Sequence, residues 1–428
     1  MKKIIIGRKP SDYEKFGDLG TVLIGKQYVY MDQFISLANP AYMDVIRTHA
    51  ILIAGKRGSG KSYTMGVLAE GLATAPKEVS DNISTVIFDT MGIYWTMKFP
   101  NRKDQDLLEQ WDLPLKPLDN VDIFVPYLYY DTYKEKEIPV DYPFALTLRE
   151  VLPQEWREVF ALPFDNPIAI LIEKVITDLR ERNEYFSFED IIYQIEKSNA
   201  PSHIKDGAIL RFQAAEKWGL FKEKGLNIDE ISKGGRVSIL DLSPYIGSVG
   251  GWSLRALVIS LVAKGIFLKR VFYRKFEEVK DVLEYFYEKK DFPLTWLMID
   301  EAHEFLPREP EKTLASDILI QILREGRQPG VSLVLATQQP GKLHTDVMTQ
   351  SDIVFAHRVT SKLDISALEN IMQTYAHKGL ALEMDKLPRL KGSVLVLDDN
   401  SERIFPMRIR PRFTWHGGED PVAIKKEF

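Results

Sequence analysis

Residues Gly55, Lys56, Arg57, Gly58, Ser59, Gly60, Lys61 and Ser62 have the types and spacing of a phosphate cradle, G-x-x-x-x-G-K-[ST]. The glycines let backbone N–H groups curl around an anion, and a helix opening just after them adds the positive end of its dipole. Lys61 can reach β- and γ-phosphates, Ser62 can hold Mg²⁺, and Tyr63 closes the cradle. The ligand this pattern implies is a nucleoside triphosphate, ATP with Mg²⁺. A ligand-free glycine turn could share the pattern, but the context is that of a P-loop. Ala50 to Ala54 reads as a buried strand, and Tyr63 to Leu72 reads as a helix with Met65, Leu68, Ala69 and Leu72 on its apolar side.

A second group of chemical residues lies far downstream. Trp296-Leu297-Met298-Ile299 ends in Asp300-Glu301, the Walker B pattern. Asp300 would hold Mg²⁺ through its water shell, and Glu301 would polarise the attacking water. Val331 to Ala336 reads as another buried strand, followed by Thr337-Gln338-Gln339-Pro340. Gln338 is placed to orient the lytic water or sense the γ-phosphate. Arg324 and Arg327 lie between these two strands. Either could stabilise transition-state charge, from its own or a neighbouring subunit, or could simply end a solvated helix.

The elements that must position these groups alternate strand and helix, which predicts a mostly parallel sheet covered on both faces. Strands are expected at Thr85 to Asp89, Arg236 to Leu242, Leu294 to Asp300, Val331 to Thr337 and Ile353 to Arg358. Gly392 to Leu397 and Arg403 to Arg410 read as edge strands. Residues 1–47 form a short β-rich segment, with strand-like pieces at Lys3 to Ile6 and Thr21 to Ile24. Residues 48–99 and 233–410 make the two parts of a nucleotide-binding core, and 411–428 a tail. Residues 100–232 read as a helical insertion. There Asn166 caps a helix with Pro167 at its first position, Ile168, Leu171, Ile172, Val175, Ile176 and Leu179 form its apolar stripe, and Ser187 with Asp190 makes a capping box. Nearly all of the insertion's aromatic residues read as core.

Composition narrows the class. The chain of 428 residues is 45% hydrophobic and 27% charged, ordinary for a globular protein. No apolar run is long enough to span a bilayer, and the first residues are too short for a signal peptide, so a cytoplasmic protein without membrane attachment is expected. The lack of cysteine excludes disulfides, thiolate catalysis and Cys-type zinc sites. His303 and His416 have no ligand spacing around them, so no metal beyond Mg²⁺ is assigned. A formal charge of −5 argues against wrapping nucleic acid around the outside and leaves local basic loops as the route to DNA.

Taken in order, these pieces resemble the HerA/FtsK superfamily of ring-shaped DNA motor ATPases, on the HerA side. The matching residues are His49 to Ser62, Asp89-Thr90-Met91-Gly92, Asp300-Glu301-Ala302-His303 and Arg324-Glu325-Gly326-Arg327. Ala336 to Pro340, Arg410-Pro411-Arg412 and His416-Gly417-Gly418 complete them. The resemblance implies a RecA/FtsK-like α/β P-loop NTPase, a homo-hexamer with ATP between subunits, Arg327 and Arg324 acting in trans, and movement of duplex DNA through a central pore. It also implies partnership with a NurA-type nuclease in DNA end processing. Two departures stand out. Only residues 1–47 precede the P-loop region, so the N-terminal barrel that docks the nuclease is reduced or missing. Ile93 stands where relatives tend to carry an acid. Two other readings use the same engine: a viral or conjugative packaging motor, and a ring scaffold gated by a protein partner.

For DNA contact, the densest basic cluster is Lys269, Arg270, Arg274 and Lys275, interleaved with Phe267, Phe272, Tyr273 and Phe276. An amphipathic helix with a solvated basic face, balanced by Glu277 and Glu278, explains the same residues. The loop Gly247 to Gly251 and the pair Lys342 and His344 are the alternatives.

Overall fold

The computed structural model describes residues 3–31, 34–248, 250–283, 292–372 and 380–418. Val249 and residues 419–428, which belong to the glycine-rich loop and the tail considered above, lie outside them. The strands are β1 (Ile4–Ile6), β2 (Thr21–Met31), β3 (Phe34–Asp44), β4 (Ala50–Ala54), β5 (Ile83–Asp89), β6 (Val121–Pro126) and β7 (Tyr142–Phe144). They continue with β8 (Val237–Asp241), β9 (Leu294–Ile299), β10 (Val331–Thr337), β11 (Ile353–His357), β12 (Ser393–Asp398) and β13 (Arg403–Ile409). All join one sheet in the order β1-β3-β2-β13-β12-β11-β4-β10-β9-β5-β8-β6-β7.

From β11 to β7 every pairing is parallel. These strands carry near-continuous apolar runs because both faces are covered. All seven residues of β5 and of β10 are buried. Alternation of side chains then divides the core in two. Leu52, Phe88, Leu240 and Leu297 face the helices of the insertion. Ile51, Ile53, Ile87 and Met298 face Met65, Leu68 and Leu72 of the P-loop helix. That helix, Lys61–Ala73, is buried along most of its length. It is held by core on one side and by the C-terminal segment on the other.

The insertion folds as its capping signals suggest. The Ile168 N–H donates to Asn166 Oδ1 at 2.9 Å and starts the helix Pro167–Arg182. Ser187 and Asp190 form a reciprocal capping box. Trp156, fully buried, makes ring contacts with Phe160, Phe212, Trp218 and Phe221, so this aromatic cluster is core, whereas Phe164, Tyr185 and Tyr193 of the same segment are exposed. The segment is not purely helical. It also contributes β6 and β7 to the sheet, because the apolar run Val121–Pro126 pairs with β8.

The strands expected at an edge are interior. β13 pairs with β12 on one side and with Gly25 to Gln27 of β2 on the other. The β2–β3 hairpin therefore extends the core sheet, and β1 and β7 are its edges. β12 and β13 are buried or half-buried over most of their length, as interior strands should be.

Candidate active site

The P-loop leaves β4 at the carboxyl end of the parallel strands, where open α/β sheets place their ligands. Its base is tied to both neighbouring strands. The Gly55 N–H donates to Thr337 O at 3.2 Å, and the Lys56 N–H to Arg358 O at 3.0 Å. Lys61 is buried, and its Nζ donates to Lys56 O at 3.3 Å. Burial pushes the Lys61 ammonium below its ordinary value, while Glu301 and Asp300 pull it back up. Lys56, Arg57 and Gly58 are exposed at the tip. The first N–H groups of the helix, at Lys61, Ser62 and Tyr63, have no carbonyl four residues back to bond. Ser59 Oγ is buried with no partner. An orphaned hydroxyl among unpaired N–H groups suits a phosphate, which would supply several acceptors at once.

Ser62 and Asp300 meet directly. The Ser62 hydroxyl donates to Asp300 Oδ2 at 2.5 Å. A hydroxyl and a carboxylate converging on one point are hard oxygen donors of the kind Mg²⁺ prefers, so the residues fit that ion. The Tyr94 hydroxyl donates to the same Asp300 oxygen at 3.2 Å and touches Ser62 O at 3.3 Å. Tyr94 is fully buried and was not legible as a site residue. Its place is set by Asp89 at the tip of β5, whose carboxylate accepts from the N–H groups of Met91, Gly92 and Tyr94. Asp89 lies beside Asp241 of β8 in register. Burial and that second carboxylate push Asp89 up.

Glu301 follows at the end of β9 in a left-handed conformation, φ 52° and ψ 44°. This is sparsely populated for a residue with a Cβ and recurs where function holds strain. Burial and the neighbouring Asp300 push the Glu301 carboxyl up to about 7, against the pull of Lys61 and of the Gln338 backbone N–H. Gln338 thus meets Glu301 through its main chain. Glu301 Oε2 is buried without a hydrogen-bond partner. His303 Nδ1 lies 3.5 Å from that oxygen and 3.2 Å from Thr337 Oγ1, and Gln339 Nε2 lies 3.2 Å from His303 Nε2. His303, part of the Asp300–His303 motif and set aside as a metal ligand, and Gln339 are further site residues to which sequence reasoning gave no role. The pattern at Ala336 to Pro340 marked their neighbourhood but not their contact.

Under the P-loop, Thr64 Oγ1 and His357 Nε2 are 2.9 Å apart, and His357 Nδ1 lies 3.2 Å from Ser393 O. With Nδ1 donating to that carbonyl, Nε2 accepts from Thr64. Burial pushes His357 down to about 4, which keeps it neutral. The C-terminal segment seals the other side of the helix. Glu70, fully buried, accepts from Arg410 at 2.6 Å and from the Thr414 hydroxyl at 2.6 Å. Arg412 lies against Gly66, and His416 meets Tyr63 edge-on with centroids 5.3 Å apart.

Arg324 and Arg327 are not beside this P-loop. They line a cavity of about 240 Å³ with His49 and Ala50, at the amino end of β4. Five strand residues separate the two ends, about 16 Å. Arg324 pairs with Asp346 at 2.6 Å. Arg327 is exposed with no ion-pair partner among the described residues, and its carbonyl accepts from Thr48 Oγ1 at 3.1 Å.

The basic cluster is not a free cationic surface. Arg270 is 1% exposed and donates to Pro329 O, Phe292 O and Glu277. It ties the 326–330 loop, through Pro329 O, to Phe292 O ahead of β9 rather than facing solvent. Arg274 pairs with Glu277 and Glu278, and Lys269 with Asp229. Of the four, Lys275 alone is exposed and without an ion pair among the described residues. Lys342 is exposed near His303 on the P-loop side, whereas His344 is spent on capping the helix Thr345–Gln350.

Comparison with known proteins bears on the family and the fold. A family model described as the central domain of helicase HerA matches residues 28–250. The DNA double-strand break repair helicase HerA of Pyrococcus furiosus is 28% identical over 154 residues, 32% of this chain and 27% of the relative. A probable HerA of Methanocaldococcus jannaschii is 33% identical over 135 residues, 28% of this chain and 25% of the relative. The matched regions thus span about a quarter of those relatives' length. The structure of VirB4 from Thermoanaerobacter pseudethanolicus superposes with a TM-score of 0.53 at 11% identity, covering 91% of this chain and 96% of that one, a likeness of fold.

Proposed function

The chain belongs to the family of the HerA helicase central domain, and from that premise we propose that it is an ATP-driven motor that moves duplex DNA as a homo-hexamer. The observation that carries this reading is the separation of Arg327 from its own P-loop. A cationic side chain poised at the opposite end of the strand cannot serve the nucleotide of its own chain. It is available to one held by a neighbour, which favours shared sites in a ring.

The residues divide the work as follows. Unpaired N–H groups of the P-loop and Lys61 bind the phosphates. Ser62 and Asp300 would hold a magnesium ion, which when bound offsets charge on the phosphate oxygens. Glu301 accepts a proton from the attacking water, and its unpartnered Oε2 is the atom free to do so. Gln338 and the His303–Gln339 pair fix the loop beside it. Arg327 of the next subunit offsets the charge that develops on transfer. The divisions at residues 47, 99, 232 and 410 describe an N-terminal segment, two core parts, an insertion and a tail of this motor. A narrower form of this reading is a role in DNA end processing with a NurA-type nuclease. The DNA contact is assigned to exposed basic residues, Lys275 on the helix Gly251–Leu283 and Lys342 at the end of the turn Pro340–Lys342. Among the described residues no helix is long and apolar enough to cross a membrane.

The test is ATP hydrolysis with and without linear duplex DNA, using Glu301→Gln as the blank. Stimulation by DNA supports the motor. Turnover indifferent to DNA would sink it in favour of an ATPase gated by a protein partner.

A further inference from the structure

The cavity at the amino end of β4 has a second wall. Besides Arg324 and Arg327 it is lined by Lys9, Asp12, Arg47, His49 and Asp352. It opens into a wider cleft of about 870 Å³ that shares Lys9, Arg47 and Arg327. Lys9, Asp12 and Arg47 of this wall come from the N-terminal segment, for which neither the motifs nor the family match supplies a chemical role.

The segment is held there firmly. Gly7 has φ +82°, and a Cβ on it would come within 2.8 Å of His49 Cε1 and of Ile353 Cδ1. The chain therefore runs directly over the first residues of β4 and β11. Arg8 is then locked in place, donating to Asp44 and to the carbonyls of Gly17, Leu19 and Gly20. Those bonds fix the backbone from which Lys9 extends into the cavity.

Charge pairing separates the cations. Arg47 donates to Asp12 at 2.6 Å, Arg324 to Asp346 at 2.6 Å, and His49 meets Asp352 at 2.7 Å. Lys9 and Arg327 have no ion-pair partner among the described residues. His49 Nε2 is also buried without a partner on this wall. Asp12 lies near Lys9 without closing an ion pair on it, and Lys9, Arg47, Arg324 and Arg327 outnumber the cavity's carboxylates Asp12 and Asp352, a cationic excess of the kind that binds polyphosphate.

We propose that Lys9 is a second trans-acting cation, which together with Arg327 clasps the polyphosphate of the nucleotide held by the adjacent copy of this chain. The proposal rests on the shared-site reading above. Lys9 approaches from the N-terminal segment and Arg327 from the loop after the helix Ser316–Glu325, so the anion is gripped from two sides.

The experiment is complementation in mixed assemblies. Lys9→Ala subunits keep an intact P-loop, and Lys61→Ala subunits keep an intact Lys9. Each alone is expected to hydrolyse ATP at least tenfold more slowly than wild type, and their mixture to recover turnover above either. Lys9→Arg should retain most of the rate. Damage to folding at Lys9 would not be repaired by a partner that lacks a working P-loop. Wild-type turnover by Lys9→Ala overturns the proposal. So does failure of the Lys9→Ala mixture when a matched mixture of Arg327→Ala and Lys61→Ala subunits recovers, and the shared site then stands without Lys9. If neither mixture recovers, or no assembly forms, the shared-site reading falls and the proposal with it.

Discussion

The hydroxyl of Ser62 and the carboxylate of Asp300, 238 residues apart in sequence, share one hydrogen bond of 2.5 Å. The P-loop helix and the end of β9 are thus already at the distance a shared ligand needs. Asp300→Asn keeps the shape and removes the charge. We expect it to lower ATP turnover at least a hundredfold and to raise the magnesium concentration needed for half-maximal rate. A titration of rate against magnesium checks this, and an unchanged curve would exclude Asp300 from holding the ion.

The proposed mechanism makes Glu301 the proton acceptor, and Gln has its shape without its basicity. Glu301→Gln should bind ATP as wild type does and turn it over at least a hundredfold more slowly. Binding of a fluorescent ATP analogue, read beside phosphate release, separates the two. Loss of binding together with rate would show a structural role instead.

Gly66 offers a case where two effects oppose each other. In a helix interior, alanine in place of glycine ordinarily stabilises by about 1 kcal/mol. Here a Cβ would fall 2.5 Å from Arg412 Nη1 and 2.7 Å from its Cζ. Arg412 is fully buried and has nowhere to go. We expect Gly66→Ala to destabilise by about 1–3 kcal/mol, the cost of overpacking. Chemical denaturation gives the sign directly.

Glu70 neutralises Arg410 inside the protein, with both side chains nearly inaccessible. Glu70→Gln strands a buried guanidinium and should cost about 3–5 kcal/mol. The same denaturation experiment measures it, and a change near zero would mean that water reaches Arg410.

His357 supplies a pH dependence. Burial holds it neutral by pushing it down to about 4, whereas an unfolded histidine titrates near ~6.5. On acidification the unfolded chain takes up the proton first. The associated stability is therefore present above about pH 6.5 and lost as pH falls toward 4, up to about 3 kcal/mol for this group. We expect unfolding free energy to fall over that window, and His357→Gln to fall less steeply. Parallel slopes would assign the acid sensitivity elsewhere.

The central strands β4, β5, β8, β9, β10 and β11 were readable because they are apolar runs that lead into motif residues or polar loops, whereas β6 and β7 were hidden inside a segment that reads as helical. The helix starts at Asn166 and Ser187 were readable because capping is local. What escaped was non-local. Tyr94 matters through Asp300, 206 residues away. Arg270 looked like a surface cation because nothing near it in sequence announces the carbonyls of Phe292 and Pro329. β13 looked like an edge because its second partner, β2, lies at the far end of the chain.

That last pairing limits how the protein can be cut. A shortened version starting at the P-loop strand would keep every ATP-handling motif yet strip β2 from β13. Met407 to Ile409 would then present a bare row of backbone donors and acceptors, ready to recruit another molecule. Insolubility of such a fragment is the expected behaviour of an opened sheet, and designs for crystallography or fusion should keep the first hairpin.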